Sequence, residues 1–144
     1  ERYVDFLEQS FIVFRLRSLS RNQRNEIKKS RKIYFYDNGI RNAIIKNFNP
    51  VKIRQDVGAL WENFVIAERM KRNHYRGLYL NRYFWRTFQQ QEIDYIEEYD
   101  GKLHAYDFKW STHKKTRFPK TFLKAYPNSE TKVISPENYI EFIT

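Results

Sequence analysis

Residues 92–110, EIDYIEEYDGKLHAYDFKW, alternate apolar and polar side chains on both sides of the dipeptide Asp100-Gly101. An Asp-Gly pair between two such runs is among the strongest local signals for a β-hairpin with a two-residue turn. We therefore predict two antiparallel strands that meet at this turn, and we place the other elements of the fold around them.

The register of this hairpin brings two acids together. With Asp100-Gly101 as the loop, Asp94 lies opposite Asp107 and Glu92 lies opposite Lys109, and all four share one face because side chains alternate with period two. Like charges directly opposed across a sheet are destabilising, and a shared cation or a raised pKa relieves the repulsion. The hairpin therefore predicts a metal-binding corner.

A simpler interpretation is that both aspartates point to solvent. The apolar neighbours of the acids argue against it. The face of the two acids is apolar near the turn, at Ile96, Leu103 and Ala105. The alternation assigns the remaining apolar side chains to the opposite face: Ile93, Tyr95, Tyr106, Phe108 and Trp110. Such a hairpin is a buried central element with one polar corner.

The composition limits the chemistry of the site. A chain of 144 residues without cysteine is predicted to form one domain in a reducing cytoplasm, without disulfides, thiolate zinc sites or a cysteine nucleophile. The histidines, His74, His104 and His113, lack the spacing of zinc ligands. Hard oxygen ligands are what remain.

The charge balance predicts a polyanionic partner. The chain has 27 Lys and Arg against 17 Asp and Glu, a net charge of +10, and 18% aromatic residues. Such a surface suits phosphate backbones and unstacked bases, so we expect nucleic acid as the partner, although a membrane surface or a protein could use the same charge. The predicted contacts are Arg86, Lys114, Lys115, Arg117, Lys120 and Lys124. Because apolar runs near the ~20 residues of a spanning helix and signal peptides are absent from the sequence, no membrane association is expected.

Periodicity and capping residues predict an α/β fold with a mixed central sheet flanked by helices. Besides the hairpin, strands are predicted at 11–17, 32–36, 79–87 and 131–135. Helices are predicted at 3–7, 39–46, 57–73 and 119–125, with Asp37 and Asp56 as N-caps.

The longest predicted helix contains two acids with different expected burial. At about 100° per residue, Glu68 falls near the middle of the apolar stripe, whereas Glu62 lies well off its centre. Periodicity therefore buries Glu68 and leaves Glu62 at the rim. Both stay open as site residues.

Acids on a helix and two strands suggest a family. Glu62, Asp94 and Asp107-Phe108-Lys109 resemble the acid, D and (D/E)xK set of the PD-(D/E)XK nuclease superfamily, although Ile93 replaces the proline of that motif. A wider set of segments resembles the C-terminal domain of bacterial and archaeal AAA-type ATPases: KIYFYDNGIRNAII, DVGALWENFVIAERMKR, YFWRTFQQQEIDYIEE and YDFKWS. The resemblance implies a restriction-endonuclease-like core at 31–144, preceded at 1–30 by the tail of a winged-helix-like segment and a connecting strand.

The resemblance also implies a site. Asp94, Asp107 and Glu62 would bind Mg²⁺, with Glu68 as the second candidate on the helix. The backbone carbonyl of Phe108 would be a further ligand. Lys109 would orient or activate a water molecule for attack on phosphorus, and Glu92 would form an ion pair that positions it.

The same resemblance implies an N-terminal P-loop ATPase module in a longer protein, and the start at Glu1 suggests a piece of such a protein. The four glycines of this chain cannot form a GxxxxGK[ST] loop, so ATP is expected to bind only the full-length protein.

The residues and the resemblance together suggest three alternative functions. The first is a Mg²⁺-dependent DNA endonuclease controlled by the attached ATPase. The second is a non-catalytic module on the same fold that binds nucleic acid or assembles the ATPase into homo-oligomers. The third is a protein-interaction domain whose basic charge is incidental. We favour a nuclease-like domain that associates with DNA.

Overall fold

The structure, a computed structural model, describes residues 2–21, 26–111 and 116–144. Its helices are α1 (Arg2–Gln9), α2 (Asn38–Ile44), α3 (Val57–Tyr75), α4 (Lys120–Ala125) and α5 (Tyr139–Ile143), with a 3₁₀ turn at Val51–Ile53. Its strands are β1 (Val13–Ser18), β2 (Arg31–Phe35), β3 (Asn81–Arg86), β4 (Glu92–Tyr99), β5 (Lys102–Phe108) and β6 (Glu130–Ile134).

The strands form one mixed sheet in the order β2-β1-β3-β4-β5-β6. The β1–β3 and β5–β6 pairs are parallel, and the other neighbours are antiparallel. The predicted fold class, a mixed sheet flanked by helices, is confirmed. β1 lies inside the sheet between β2 and β3, and the predicted domain boundary at residue 31 stays a prediction.

Apolar side chains pack on both faces of the sheet. One core cluster includes α3 and α5 and contains Phe14, Leu16, Val65, Ile66, Phe84, Tyr95, Tyr106, Phe108 and Phe142. The other includes α4 and contains Leu19, Trp85, Ile93, Ile96, Leu103, Ala105 and Phe122. Because both faces are covered, β4 and β5 are central elements, as the hairpin sequence predicts. Burying each such valine, leucine, isoleucine or phenylalanine side chain stabilises the fold by about 1.5–3 kcal/mol.

The hairpin has the predicted turn and register. Its pairs run from Tyr99 with Lys102 to Tyr95 with Tyr106. Asp100 and Gly101 have φ angles of 52° and 71°. Positive φ at both central residues is what a type I′ hairpin turn requires, and Asp-Gly tolerates it.

A β-bulge in β4 changes the predicted faces. Tyr83 pairs with Ile96 but Trp85 pairs with Ile93, so three steps along β4 oppose two along β3. The extra residue shifts the alternation. Ile93 consequently packs with Ile96 in the cluster that includes α4, and its predicted place on the face of Tyr95 is wrong.

The two predicted caps have different outcomes. The Asp37 carboxylate accepts a hydrogen bond of 2.5 Å from the Gly39 N–H and caps α2 as predicted. Asp56 takes the N-cap position of α3 as predicted, but its side chain makes no capping hydrogen bond, because its oxygens accept bonds of 2.8 Å from the guanidinium groups of Arg41 and Arg54. These bonds hold the pKa of Asp56 well below its usual range.

Candidate active site

The bulge in β4 determines where Asp94 lies. Asp94 is the chain neighbour of Tyr95, which forms the last regular β4–β5 pair with Tyr106. There its Oδ2 accepts a 2.8 Å hydrogen bond from the backbone N–H of Phe108. The side chain of Asp94 therefore takes a place that a backbone partner would fill in a regular ladder, and it is fixed beside the end of β5.

The carboxyl groups of Asp94 and Asp107 meet at this end of the hairpin. Burial, a hydrogen bond with the Asp107 carboxyl group and the negative charges of Glu62 and Asp107 raise the pKa of Asp94 to about 8. The backbone bond from Phe108 acts in the opposite direction. A raised pKa relieves the repulsion between the two opposed aspartates, and a bound cation would relieve it as well.

Lys109 completes this corner. Its Nζ lies 3.0 Å from Oδ2 of Asp107, and the two side chains are 41% and 12% exposed. Although partial burial lowers the pKa of Lys109, the carboxylates of Asp107, Asp94 and Glu62 raise it above its usual value. The structure thus brings Asp94, Asp107 and Lys109 together, with an ammonium group that reaches solvent.

Glu92 has other partners than the one predicted. It forms ion pairs with Lys32 of β2 and, at 2.6 Å, with Arg86 of β3. The predicted Glu92–Lys109 pair is wrong, because Arg86 is the registered neighbour of Glu92 and Lys109 lies beyond the last residue of β5. Arg86, a predicted nucleic-acid contact, is accordingly half-exposed and paired.

Glu62 reaches the sheet from α3. Its Oε1 accepts a hydrogen bond of 2.5 Å from the Tyr34 hydroxyl and one of 3.1 Å from Lys32 Nζ. Burial and the charge of Glu62 raise the pKa of Tyr34, which therefore keeps its proton. Glu62 also adds to the field at Asp94, so it faces the aspartate pair while it is held by two residues of β2.

Glu68 lies away from this corner. It pairs with Lys71 at 2.7 Å and is 33% exposed. The predicted burial of Glu68 is wrong, because the buried side of α3 includes polar residues that an apolar stripe does not register. Asn63, for example, exchanges two 2.8 Å hydrogen bonds with the backbone of Phe35, and Arg69 is also buried.

A hard divalent cation fits the pair Asp94 and Asp107 better than it fits the predicted set of three carboxylates, which includes Glu62. Within residues 2–21, 26–111 and 116–144, His, Cys, Asp and Glu form no group of three that could hold a metal ion. The carboxyl groups of Asp107 and of Asp94, whose pKa is raised, remain, and Mg²⁺ is commonly held by one or two carboxylates and retained waters. Glu62 stays a predicted third ligand whose oxygen is engaged by Tyr34 and Lys32.

The predicted nucleic-acid contacts between residues 114 and 124 lie only partly within the described residues. Arg117, Lys120 and Lys124 are exposed, the last two on α4. Lys114 and Lys115 lie outside the described residues. α4 packs through Phe122 on the sheet face that carries Leu103 and Ala105.

Sequence reasoning missed Lys32 and Tyr34. Both alternate with apolar residues in β2 and hold Glu62 from across the sheet edge. Lys32 lies two positions before Tyr34 and so on the same face of the strand, which is the signal that could have indicated an inward charge, but its partner on α3 is a tertiary contact.

Comparison with known protein families shows which family the chain belongs to. A family described as a domain of unknown function, DUF4143, matches residues 57–141, more than half of the chain. The chain belongs to the DUF4143 family. The DUF4143 match contains Glu62, Asp94, Asp107 and Lys109, and a second domain of unknown function, DUF8612, matches residues 1–51 with Lys32 and Tyr34. The candidate site therefore combines residues from both matched segments.

Relatives of this DUF4143 chain occur in mycobacteria. Uncharacterized proteins of Mycobacterium tuberculosis and Mycobacterium bovis are each 27% identical over 110 residues, which cover 75% of this chain and 24% of theirs. The chain thus spans about a quarter of the length of these relatives. No solved structure matches it. In the described part of the chain, none of the helices has the length and apolar character needed to cross a membrane.

Proposed function

We propose that this DUF4143 chain is a nuclease-like domain that associates with DNA and hydrolyses phosphodiester bonds with a divalent metal ion. One observation carries the proposal. The carboxyl groups of the partly buried Asp94 and the buried Asp107 meet, and Asp107 contacts the ammonium group of Lys109 at 3.0 Å. These are the groups that the resemblance to PD-(D/E)XK nucleases implies, at one corner of a mixed sheet.

The residues have separate roles in this proposal. Asp94 and Asp107 would hold Mg²⁺, which when bound polarises a phosphate and lowers the pKa of a coordinated water. Lys109, whose pKa is raised, keeps its proton at neutral pH and donates to a phosphate oxygen or to the attacking water. Glu62 would complete the metal shell. The carbonyl of Phe108 stays a further candidate ligand.

The proposed setting is a AAA-type ATPase. A net charge of +10 supports association with a polyanion. ATP would be bound by an N-terminal module of the longer protein, and this domain would act on DNA under its control in the cytoplasm.

One observation favours a second function. Because the Glu62 carboxylate is held by Tyr34 and Lys32, the acids of the described chain do not form a three-carboxylate group. Such a site suits a nuclease-fold module without turnover that binds nucleic acid or assembles the ATPase into homo-oligomers.

A cleavage panel tests the proposal. Single-stranded, duplex and branched DNA are incubated with Mg²⁺ or Mn²⁺ and with this chain or the longer protein expected to carry it. We expect metal-dependent cleavage that Asp107→Ala abolishes while DNA binding persists, and that the exposed control Glu137→Ala preserves. Cleavage that survives both Asp94→Ala and Asp107→Ala would exclude this site.

The same panel separates the second function. A binding module shows no cleavage under any metal, and its DNA affinity falls steeply with salt because bound phosphates release counterions. If the affinity does not change between low and high salt, nucleic acid is not the partner, and sedimentation of the longer protein then tests the role in assembly.

A further inference from the structure

The first helix, α1, is amphipathic but is attached to the domain through its charged side. Asp5 and Glu8 both form ion pairs with Arg15 of β1, and Oε1 of Glu8 also accepts a 3.1 Å hydrogen bond from the Arg15 backbone N–H. None of the residues of α1 is buried. A surface helix normally packs its apolar side on the core, so the orientation of α1 is the reverse of the usual one.

The apolar side of α1 faces solvent. Tyr3, Phe6 and Leu7 lie on one face of the helix because they are three and four positions apart. Phe11 follows just beyond the helix, and Tyr3, Phe6 and Phe11 are 58% to 85% exposed. We call these four residues the α1 stripe. Exposure of such a contiguous apolar surface to water is unfavourable, and surfaces of this kind mark interaction sites.

A second exposed apolar surface is formed by α2 and the 3₁₀ turn that follows it. It consists of six large apolar side chains, which we call the α2 patch: Ile40, Ile44, Ile45, Phe48, Val51 and Ile53. Val51 also lines an apolar cavity of about 240 Å³ together with residues of α3 and with Trp110. Because Val51 and Trp110 are themselves exposed, this cavity opens to the surface and can admit an apolar side chain of a partner.

The α2 patch is held in place by an arginine and carries unpaired positive charge. The buried Arg54 donates a 2.7 Å hydrogen bond to the carbonyl oxygen of Asn47 and two of 2.8 Å to Asp56. Residues 38–55 contain no Asp or Glu, and the next acid, Asp56, is already paired with arginines. Lys46 and Lys52 are therefore exposed, and neither forms an ion pair within the residues that the structure describes.

The α1 stripe and the α2 patch complement each other in shape and in charge. The stripe is one side of a short helix, and the patch borders a cavity open to apolar side chains. Asp5 and Glu8 share the guanidinium group of Arg15, so the ion cluster behind the stripe keeps a net negative charge, whereas the patch carries two lysines. Because the contacts with Arg15 turn the stripe away from its own β1, a second copy of the chain is the partner that supplies a matching surface.

We propose that copies of this chain associate by packing the α1 stripe of one copy on the α2 patch of another. An apolar side chain of the stripe enters the cavity beside Val51, as amphipathic helices bind grooves through residues three and four positions apart. Two unlike surfaces meet in this contact, so it is either reciprocal within a dimer or repeated from copy to copy. The inference is independent of the nuclease proposal, and it gives the assembly role a specific pair of surfaces.

Sedimentation velocity of this chain over a range of concentrations tests the contact. We expect the parent chain to associate as its concentration rises. Phe6→Ser on the stripe and Phe48→Ser on the patch should each weaken association by about tenfold or more, because each removes a large apolar side chain from the contact. Phe88→Ser and Ile140→Ser, at positions exposed elsewhere, are the controls and should stay within about twofold of the parent chain. Thermal unfolding verifies that each variant is folded.

A mixing experiment shows whether the two surfaces meet each other. A mixture of the Phe6 and Phe48 variants should associate more strongly than either variant alone, because the intact patch of the first receives the intact stripe of the second. The inference is overturned if the mixture shows no such gain. It is also overturned if the parent chain stays monomeric, in which case another protein or another part of the longer protein covers the stripe. Failure of the nuclease proposal appears separately, as absent cleavage with association retained.

Discussion

Lys109 Nζ lies 3.0 Å from Oδ2 of Asp107, and the Asp107 carboxyl group in turn shares a hydrogen bond with Asp94. The ammonium group of Lys109 thus contacts a pair of carboxyl groups that would repel each other if both were ionised. The contact explains how the pair is tolerated in the fold, and it places the ammonium where a phosphate oxygen would approach the same corner.

The first prediction concerns Lys109. Loss of one preorganised donor at developing charge typically lowers turnover by about 10²–10³-fold. Lys109→Gln should lower metal-dependent DNA cleavage by that factor, while DNA affinity changes by less than about threefold. Steady-state cleavage and fluorescence anisotropy provide the two values. Lys102→Gln, at an exposed lysine paired with Glu130, is the control, and equal losses for both variants would contradict a specific role.

The second prediction concerns the pH dependence of stability without metal. The pKa of Asp94 is about 8 in the fold against an ordinary value of 3.8, so the folded state binds more protons than the unfolded state between these values. The free energy of unfolding should therefore fall as pH rises from about 4 to 8, by at most about 1.4 kcal/mol per pH unit for this one group. Urea denaturation across this range measures the slope.

Asp94→Asn isolates this contribution. The amide can donate to Asp107 as the proton does and does not titrate, so the slope between pH 4 and 8 should flatten. Glu68→Gln should keep the parent slope because Glu68 pairs with Lys71 at the surface. An unchanged slope in the Asp94 variant would show that another group is responsible.

The third prediction distinguishes the two acids of α3. Glu62→Gln should raise the Mg²⁺ concentration needed for half-maximal cleavage by about tenfold or more, because it removes a charge that faces Asp94. Glu68→Gln should leave that concentration unchanged. Metal titrations of the cleavage rate give the comparison, and a larger effect at Glu68 would reverse the assignment.

Local signals were sufficient for much of the fold. Asp100-Gly101 fixes the hairpin because its turn needs positive φ at two positions, and Asp37 marks the start of α2 through a contact two residues away. These features depend on neighbours in sequence. The approach of the Asp94 and Asp107 carboxyl groups was predicted because the turn sets the register as far as the last regular pair, Tyr95 with Tyr106.

The remaining features depend on contacts between distant elements. The bulge beside Asp94 is formed by β3 and β4 together, and sequence alternation along β4 alone does not indicate it. The place of Glu62 depends on Tyr34, 28 residues earlier. Glu68 was misplaced because α3 buries Arg69 through a partner on β4, and an apolar stripe counts arginine as exposed.

The fourth prediction concerns the buried ion pair of Arg69 and Glu97. Arg69 and Glu97 are joined by hydrogen bonds of 2.9 and 2.7 Å, and Glu97 also accepts from Asn73 and Tyr95. Removal of one partner leaves the other charge buried without compensation, at a cost of about 3–5 kcal/mol. Glu97→Gln should therefore lower the free energy of unfolding by about that amount, as measured by urea denaturation at pH 7.

The surface pair of Glu130 with Lys102 gives the control, since exposed ion pairs contribute about 0–1 kcal/mol and Glu130→Gln should have an effect of that size. Although burial raises the pKa of Glu97, the bonds from Arg69 lower it below its usual value overall, so its contribution should also be lost from the parent chain as pH falls through the acid range. If the Glu97 and Glu130 variants unfold at the same urea concentration, the buried pair does not stabilise the end of α3.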